Sequence, residues 1–459
     1  MTRNTIKDHA ALSEIFNEDE KRVNWHDETL WFVRKKRDKA AQNIPEWEQL
    51  REYGSQIKNH TLSNLDQYLI EFEKKAQANG IIIHWAADAK QHNEIILELI
   101  HKNNIKHVVK SKSMLTEECN LNSYLTEQGI EIVDTDLGEL IVQLRNEHPS
   151  HIVLPAIHLK KEDVSNTFHK HLNTEKGNND PQYLAEAARQ HLRSKFIFSQ
   201  LAITGINFAI AETGGFVICT NEGNADMGAH AAGIHIACMG IEKIIPMAEH
   251  LGVFLRLLAR SATGQPSTVY SSHFHKPRPG QQMHIIIVDN GRARQLGRPD
   301  FRNSLKCIRC GACFNTCPVY RRSGGHSYHS TVAGPIGAIL NPNINMRDNA
   351  DLPFASTLCG SCTNVCPVKI NIHEQLWKWR QIFTNEGYTS SRKKTGMKIM
   401  SFVFSHPSIY RIAGAMSRGL MRFFPLLIAN KTFNPWYKQR EMPMAPKQSF
   451  RNWYIKRKK

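Results

Sequence analysis

The sequence predicts an α/β domain with a mostly parallel sheet, followed by a small α-helical domain and a basic helical C-terminal region. Three observations carry this expectation. Over residues 61–292, helix-periodic segments alternate with short apolar runs such as Ile81-Ile82-Ile83, the pattern of strands covered on both faces by crossover helices. Seven of the ten cysteines fall between Cys307 and Pro367, in two tight runs. From residue 376 to the end, eighteen Lys and Arg stand against two acids, Glu386 and Glu441, so this last fifth holds nearly all of the +17 net charge.

At 459 residues the chain exceeds one ordinary core and calls for several domains. Its 41% hydrophobic and 22% charged residues are those of a globular protein. The opening MTRNTIKDHAALSEIF lacks an apolar h-region, and no charge-free apolar run reaches 18 residues, so neither a secretory leader nor a membrane-spanning helix is expected.

In chain order, residues 1–60 read as a charged helical arm. Its segment 18–41 mixes Glu20, Lys21, Arg22, Arg34 and Arg37 with Val23, Leu30, Trp31 and Val33, an amphipathic helix for a neighbouring surface or a partner. In the α/β domain, 61–292, helices are expected over 62–78 and 93–102, and strands over 81–83, 105–109, 130–133, 151–154 and 284–289. Ser113 is a candidate N-cap, with Glu117 and Glu118 near the following first turn. Glycines in 203–207 and 211–224 mark either hairpin turns or a backbone approach to a small anion or substrate, with Thr213-Gly214-Gly215 as the candidate pocket. There is no GxGxxG or Walker loop. His230 and His235 read as core histidines, and Cys119, Cys219 and Cys238 as buried apolar residues.

The cysteine runs carry the chemistry. Cys307-x-x-Cys310-x-x-Cys313-x-x-x-Cys317-Pro318 reproduces the bacterial ferredoxin spacing, in which the last cysteine serves the other cluster of a pair. The second run, Cys359-x-x-Cys362-x-x-x-Cys366-Pro367, lacks the leading cysteine. Zinc is the rival metal, but its structural sites close with two short ligand pairs. Exchange of the last cysteines gives cluster 1 the ligands Cys307, Cys310, Cys313 and Cys366. Cluster 2 keeps Cys317, Cys359 and Cys362, with Ser356 at the missing position. One cluster is therefore 4Fe-4S, and the other is 3Fe-4S or a 4Fe-4S cluster with a non-cysteine fourth site. Residues 293–380 form this helical two-cluster ferredoxin domain. Cationic Lys306, Arg309 and Lys369 would favour the reduced clusters, or simply be solvated.

Residues 381–459 form the basic C-terminal region. Apolar stretches at 397–404 and 409–428 are broken by Pro407, Arg411, Arg418, Arg422 and Pro425, and Trp436, Tyr437, Trp453 and Tyr454 follow. This suits an interfacial helix, a partner groove or packing on the cluster domain, and it allows contact with an anionic membrane surface and a quinone-linked electron path. No recognition-helix or RNP-like motif accompanies the charge, so nucleic acid is not expected. Thiolate-held iron calls for a reducing compartment, which makes the expected location cytoplasmic, peripheral at the inner face of the membrane if the tail docks there.

The segments Val109-Lys110-Ser111-Lys112-Ser113-Met114 and Glu212-Thr213-Gly214-Gly215, the linker Gly324-Gly325-His326-Ser327-Tyr328, Gly334-Pro335-Ile336-Gly337-Ala338 and the two cysteine runs together resemble the lactate utilization protein B family, over roughly residues 20–450. The resemblance implies an α/β lactate-utilization domain similar to the sugar-phosphate isomerase and CoA transferase fold, then the ferredoxin domain and a family-specific C-terminal region. It implies an electron-carrying component of a system oxidising L-lactate to pyruvate, with a cysteine-rich partner and a smaller α/β partner. The same seven cysteines are implied as cluster ligands. Two other functions are open on the residues alone: an enzyme using an open cluster iron or the α/β pocket, and a nucleic-acid-binding redox sensor.

Overall fold

The apolar runs of the first two-thirds become ten strands in the computed structural model, which describes residues 8–425 and 444–458. They are β1 (Ile82–Ala86), β2 (His107–Lys110), β3 (Glu131–Asp134), β4 (Leu201–Gly205), β5 (Phe208–Ile210), β6 (Gly215–Thr220), β7 (Ile234–Gly240), β8 (Ile244–Ile245), β9 (Tyr270–Phe274) and β10 (Gln282–Val288). Six form one sheet in the order β1-β10-β7-β4-β2-β3, every neighbour parallel. The other four form a smaller mixed sheet, β8-β5-β6-β9. The central strand β7 is buried at all seven positions, as a parallel strand between helix layers must be. Its registered neighbours Ile203 and Ile285 are fully buried as well.

Several expected elements are corrected. The stretch 62–78 is two helices, Trp47–Ser63 and Leu65–Ala78, because Asn64 leaves the helical region at φ −129°. Residues 151–154 are a loop and not a strand. The loop folds onto its own histidine, with the N–H groups of Val153 and Leu154 donating to His151 Nδ1 at 3.0 and 3.1 Å. His235 is a core residue hydrogen-bonded to Thr204 Oγ1 at 2.8 Å, whereas His230 is exposed. Cys119 and Cys238 are buried and Cys219 is half-buried. Ser113 caps the helix Met114–Glu118 as expected.

Two compact units divide the chain, Met1–Ile382 and Phe383–Lys459. In the first, the N-terminal helices Glu20–Gln42 and Trp47–Ser63 lie against the short helices that bear the cysteines. The second contains the helices Ser391–Ser405, Pro407–Phe423 and Phe450–Lys458. Trp436 and Tyr437 lie outside the described residues. No helix among the described residues is long and apolar enough to cross a membrane.

Candidate metal centre

Each cysteine run folds as a loop followed by one turn of helix, and the two copies share one backbone. In the first, Arg309 (φ 60°) and Gly311 (φ 74°) flank Cys310 in the left-handed region, and the helix Ala312–Thr316 carries Cys313 and ends at Cys317. In the second, Leu358 (φ 55°) and Gly360 (φ 79°) flank Cys359, and Ser361–Val365 carries Cys362 and ends at Cys366. The glycine is required in the first copy, since a Cβ on Gly311 would come within 2.9 Å of the His151 ring. Ser356 takes the place in the second copy that Cys307 takes in the first.

The structure brings Cys307, Cys310, Cys313 and Cys366 together. All four line one small cavity with Ile152, Ile336 and Ile372. Burial pushes the Cys313 thiol well above its usual range, and the neighbouring thiols Cys307, Cys310, Cys362 and Cys366 push it the same way. Cys317, Cys359 and Cys362 form the other group. Burial raises Cys317, with Cys359 adding to it, and burial raises Cys362 to about 12, with Cys317 and Cys359 adding to it. The two groups meet at Cys313 and Cys362. Cys359 alone among the seven is exposed.

This donor set fits an iron-sulfur cluster better than a zinc ion. Four thiolates on one zinc, each ~2.3 Å from the metal, would crowd well within 4.8 Å of one another, and no three cysteine sulfurs among the described residues do so. Backbone N–H groups already point at sulfur: Arg309 to Cys307 at 3.4 Å, Tyr320 to Cys317 at 3.5 Å and Ile370 to Cys366 at 3.4 Å. The Tyr328 hydroxyl is fully buried beside Cys317 and has no hydrogen-bond partner among the described residues. A sulfur acceptor would satisfy it, since an unpaired buried hydroxyl costs about 1–3 kcal/mol.

The N-terminal helices hold the loop of Cys366, which the sequence did not reveal. Arg51 donates to the Cys366 carbonyl from Nε and Nη2, at 3.1 and 2.8 Å, and to that of Asn364 at 2.7 Å. Arg37 donates to the Val365 carbonyl at 3.0 Å, and Arg34 to Thr316 Oγ1. Three cations near the cysteines differ in kind. Lys306 is buried, bonded to Ser55 Oγ at 2.8 Å, and lowered to about 8 by burial. Arg309 has only 12% of its side chain exposed. Neither is a solvated surface charge. Lys369 pairs with Glu52 at 2.9 Å near the surface.

Thr213-Gly214-Gly215 is a turn packed on a helix. Gly214 (φ 67°) lies against the helix Leu65–Ala78, where a Cβ would sit 2.3 Å from the Ala76 nitrogen, and Asn79 Nδ2 donates to the Thr213 carbonyl at 2.9 Å. The flanking residues Gly205, Ile206, Asn207, Thr220 and Glu222 line a larger cavity instead.

Residues 69–293 match the LUD domain family, 303–370 the 4Fe-4S dicluster domain family and 378–459 the family described as lactate utilisation protein B, C-terminal. Lactate utilization protein B of Bacillus cytotoxicus is 42% identical over 434 residues, which cover 92% of this chain and 91% of that one. The Bacillus cereus (strain AH820) protein of the same name is 40% identical over the same shares. An Escherichia coli K12 protein named uncharacterized electron transport protein YkgF is 38% identical, over 92% of this chain and 90% of its own. A crystal structure of a DUF162 family protein from Deinococcus radiodurans aligns with 49% of this chain and 98% of its own, at 12% identity and a TM-score of 0.27, too low to add to the description of the fold. With its dicluster domain between two matched neighbours and relatives alike along nearly their whole length, the chain belongs to the lactate utilization protein B family.

Proposed function

We propose that this chain is the electron-transfer iron-sulfur component of a multi-protein system that oxidises L-lactate to pyruvate. The observation that carries the reading is the arrangement of seven thiols in two groups that meet at Cys313 and Cys362. Cys307, Cys310, Cys313 and Cys366 hold cluster 1, and Cys317, Cys359 and Cys362 hold cluster 2, whose fourth site is not a cysteine. When bound, such clusters accept and release electrons singly. The names of the curated relatives, which speak of lactate utilization and electron transport, support the same reading.

The residues around the clusters have distinct roles. Cys359 lies at the surface, whereas the first group is buried apart from half-buried Cys307, so a redox partner meets the chain on the cluster 2 side. Lys306 and Arg309 favour the more negative, reduced state of cluster 1 and raise its potential. Arg51 and Arg37 fix the carbonyls of the Cys366 loop, so that little rearrangement accompanies a change of charge. The partners in this reading are a cysteine-rich protein and a smaller α/β protein, and the domains divide near residues 60, 292 and 380. The α/β domain is proposed to share the sugar-phosphate isomerase and CoA transferase arrangement.

The helix Pro407–Phe423 favours an added membrane role. It leaves Ile412, Met416, Leu420 and Phe423 between 49% and 75% exposed and carries Arg411, Arg418 and Arg422, the composition of an interfacial helix on anionic lipid. In this reading the protein is cytoplasmic and peripheral at the inner membrane face, near a quinone acceptor. The test of function is anaerobic reduction of the chain's visible absorbance by L-lactate. Reduction is expected only with both partner proteins present; lactate oxidation by the chain alone would assign the chemistry to this chain instead.

A further inference from the structure

A cavity of about 620 Å³ opens at the carboxyl ends of β4 and β7, between the α/β domain and the cysteine loops. Its wall is mainly apolar, with Ile152, Ile206, Met239 and Leu258 among the lining residues. It also includes Cys310 and Arg309 of the first cysteine run. Such a volume is typical of a site for a whole cofactor and far exceeds what a three-carbon acid would fill.

The charges around it do not balance. Arg292 is fully committed, to Glu118 at 2.9 and 3.0 Å and to Glu242 at 2.7 Å. Lys58 rests on the carbonyls of Glu242 and Ile244. Five cations stand in or beside the cavity, Lys58, Lys112, Lys243, Arg292 and Arg309, against four carboxylates, Glu118, Asp136, Glu222 and Glu242. Lys243 lines the cavity and has no hydrogen-bond or ion-pair partner among the described residues. Arg309 approaches Glu118 only to 4.0 Å, and its Nη1 is buried without a hydrogen-bond partner among the described residues. Part of this positive charge offsets the nearby thiolates, but Lys243 and Arg309 both open onto the cavity as well. An unpaired ammonium and a guanidinium with one unpaired nitrogen, in a half-open and mostly apolar space, call for an anionic group on an otherwise apolar molecule.

We propose that this cavity binds an anionic, ring-type two-electron carrier of the flavin mononucleotide class, with its acidic group on Lys243 and Arg309 and its ring against the apolar wall beside Cys310. The class rests on the proposed electron-transfer function: a ligand at Cys310 adjoins cluster 1, and lactate oxidation yields two electrons where each cluster takes one. The ring, brought to its dihydro form by the two electrons and two protons that the partner proteins take from lactate, then loses two electrons and two protons. The first electron reaches cluster 1 through Cys310 and passes on to cluster 2 near Cys313 and Cys362, the second then stays on cluster 1, and the protons leave to solvent past Asp136 and Glu222, which also line the cavity.

The test uses the full-length chain purified anaerobically with its clusters. The denatured protein is assayed for released flavin, and any flavin-free chain is titrated with flavin mononucleotide, riboflavin and inorganic phosphate while iron content and EPR are recorded on the same samples. One flavin mononucleotide per chain is expected, with riboflavin at least tenfold weaker. Lys243→Gln should weaken flavin mononucleotide at least tenfold and leave riboflavin unchanged, and Asn221→Trp at the exposed rim should weaken both. No flavin binding, binding of inorganic phosphate alone, or equal affinity in Lys243→Gln with intact iron would overturn the proposal. Missing iron would instead count against the electron-transfer reading, and the titration would still report on the cavity.

Discussion

The hydroxyl oxygen of Ser356 accepts the N–H of Leu358 at 3.1 Å, as the Cys307 sulfur accepts the N–H of Arg309 at 3.4 Å. Both donors lie in the left-handed region, at φ 55° and 60°. The second loop therefore keeps the conformation that presents a leading ligand while lacking the thiol. A hard serine oxygen is a poor ligand for soft iron, and this end of the loop is near solvent beside exposed Cys359.

Ser356→Cys is accordingly expected to complete a four-thiolate set with little backbone change. Its second cluster should resist oxidative loss of iron. Iron per chain and EPR before and after controlled exposure to ferricyanide measure this; loss as fast as in the parent protein would show that residue 356 does not face the cluster.

Arg51 makes three hydrogen bonds to the carbonyls of Asn364 and Cys366. Charge-assisted bonds of this kind are worth about 1.5–3 kcal/mol each, and their effects here overlap. Arg51→Ala should cost roughly 3 kcal/mol and lower the iron content. Lysine should not restore it, because a single ammonium cannot span both carbonyls. Chemical denaturation with iron analysis reads both effects.

Tyr328→Phe removes the buried hydroxyl beside Cys317. Donors to sulfur raise the potential, so a fall of a few tens of millivolts is expected with iron unchanged, given that about 1.4 kcal/mol corresponds to about 59 mV for one electron. A redox titration followed by EPR gives the shift, and an unmoved potential would place the hydroxyl away from the cluster.

His151 is lowered to about 3, with burial as the largest cause. Its Nδ1 accepts two backbone N–H groups and its Nε2 bonds Asn315 Oδ1 at 3.0 Å, a set that fits the neutral ring. The unfolded chain takes up the proton near pH 6.5 and the folded chain does not, so stability is full above that pH and falls as the pH drops below it. From pH 7.5 to 5.5 this residue alone should remove about 1.4 kcal/mol. Urea unfolding at both values should show that loss shrinking in His151→Asn.

The legible part of the site was the local part. Cysteine spacing within each run is fixed by one loop and one helical turn, so Cys310 and Cys313 announce a cluster from sequence, and counting back finds Ser356. The parallel sheet was legible because strands buried on both faces read as unbroken apolar runs. Arg51 was not legible: its partner Cys366 is 315 residues away, and a helix rich in charge reads the same whether it faces water or a carbonyl. Residues 151–154 were misread as a strand because an apolar run around a buried histidine imitates one. Gly214 was left open between a turn and a ligand approach because a glycine that admits a helix backbone looks, in sequence, like one that admits a ligand.

The central claim is that the two runs exchange their last cysteines. The most direct measurement is iron content and reduced-state EPR of the anaerobic protein alongside Cys366→Ser and Cys317→Ser. Crossed ligation predicts two clusters in the parent, loss of the Cys307-side cluster in Cys366→Ser and loss of the Cys359-side cluster in Cys317→Ser. Bound zinc in place of iron, or loss of the Cys359-side cluster in Cys366→Ser, would contradict it.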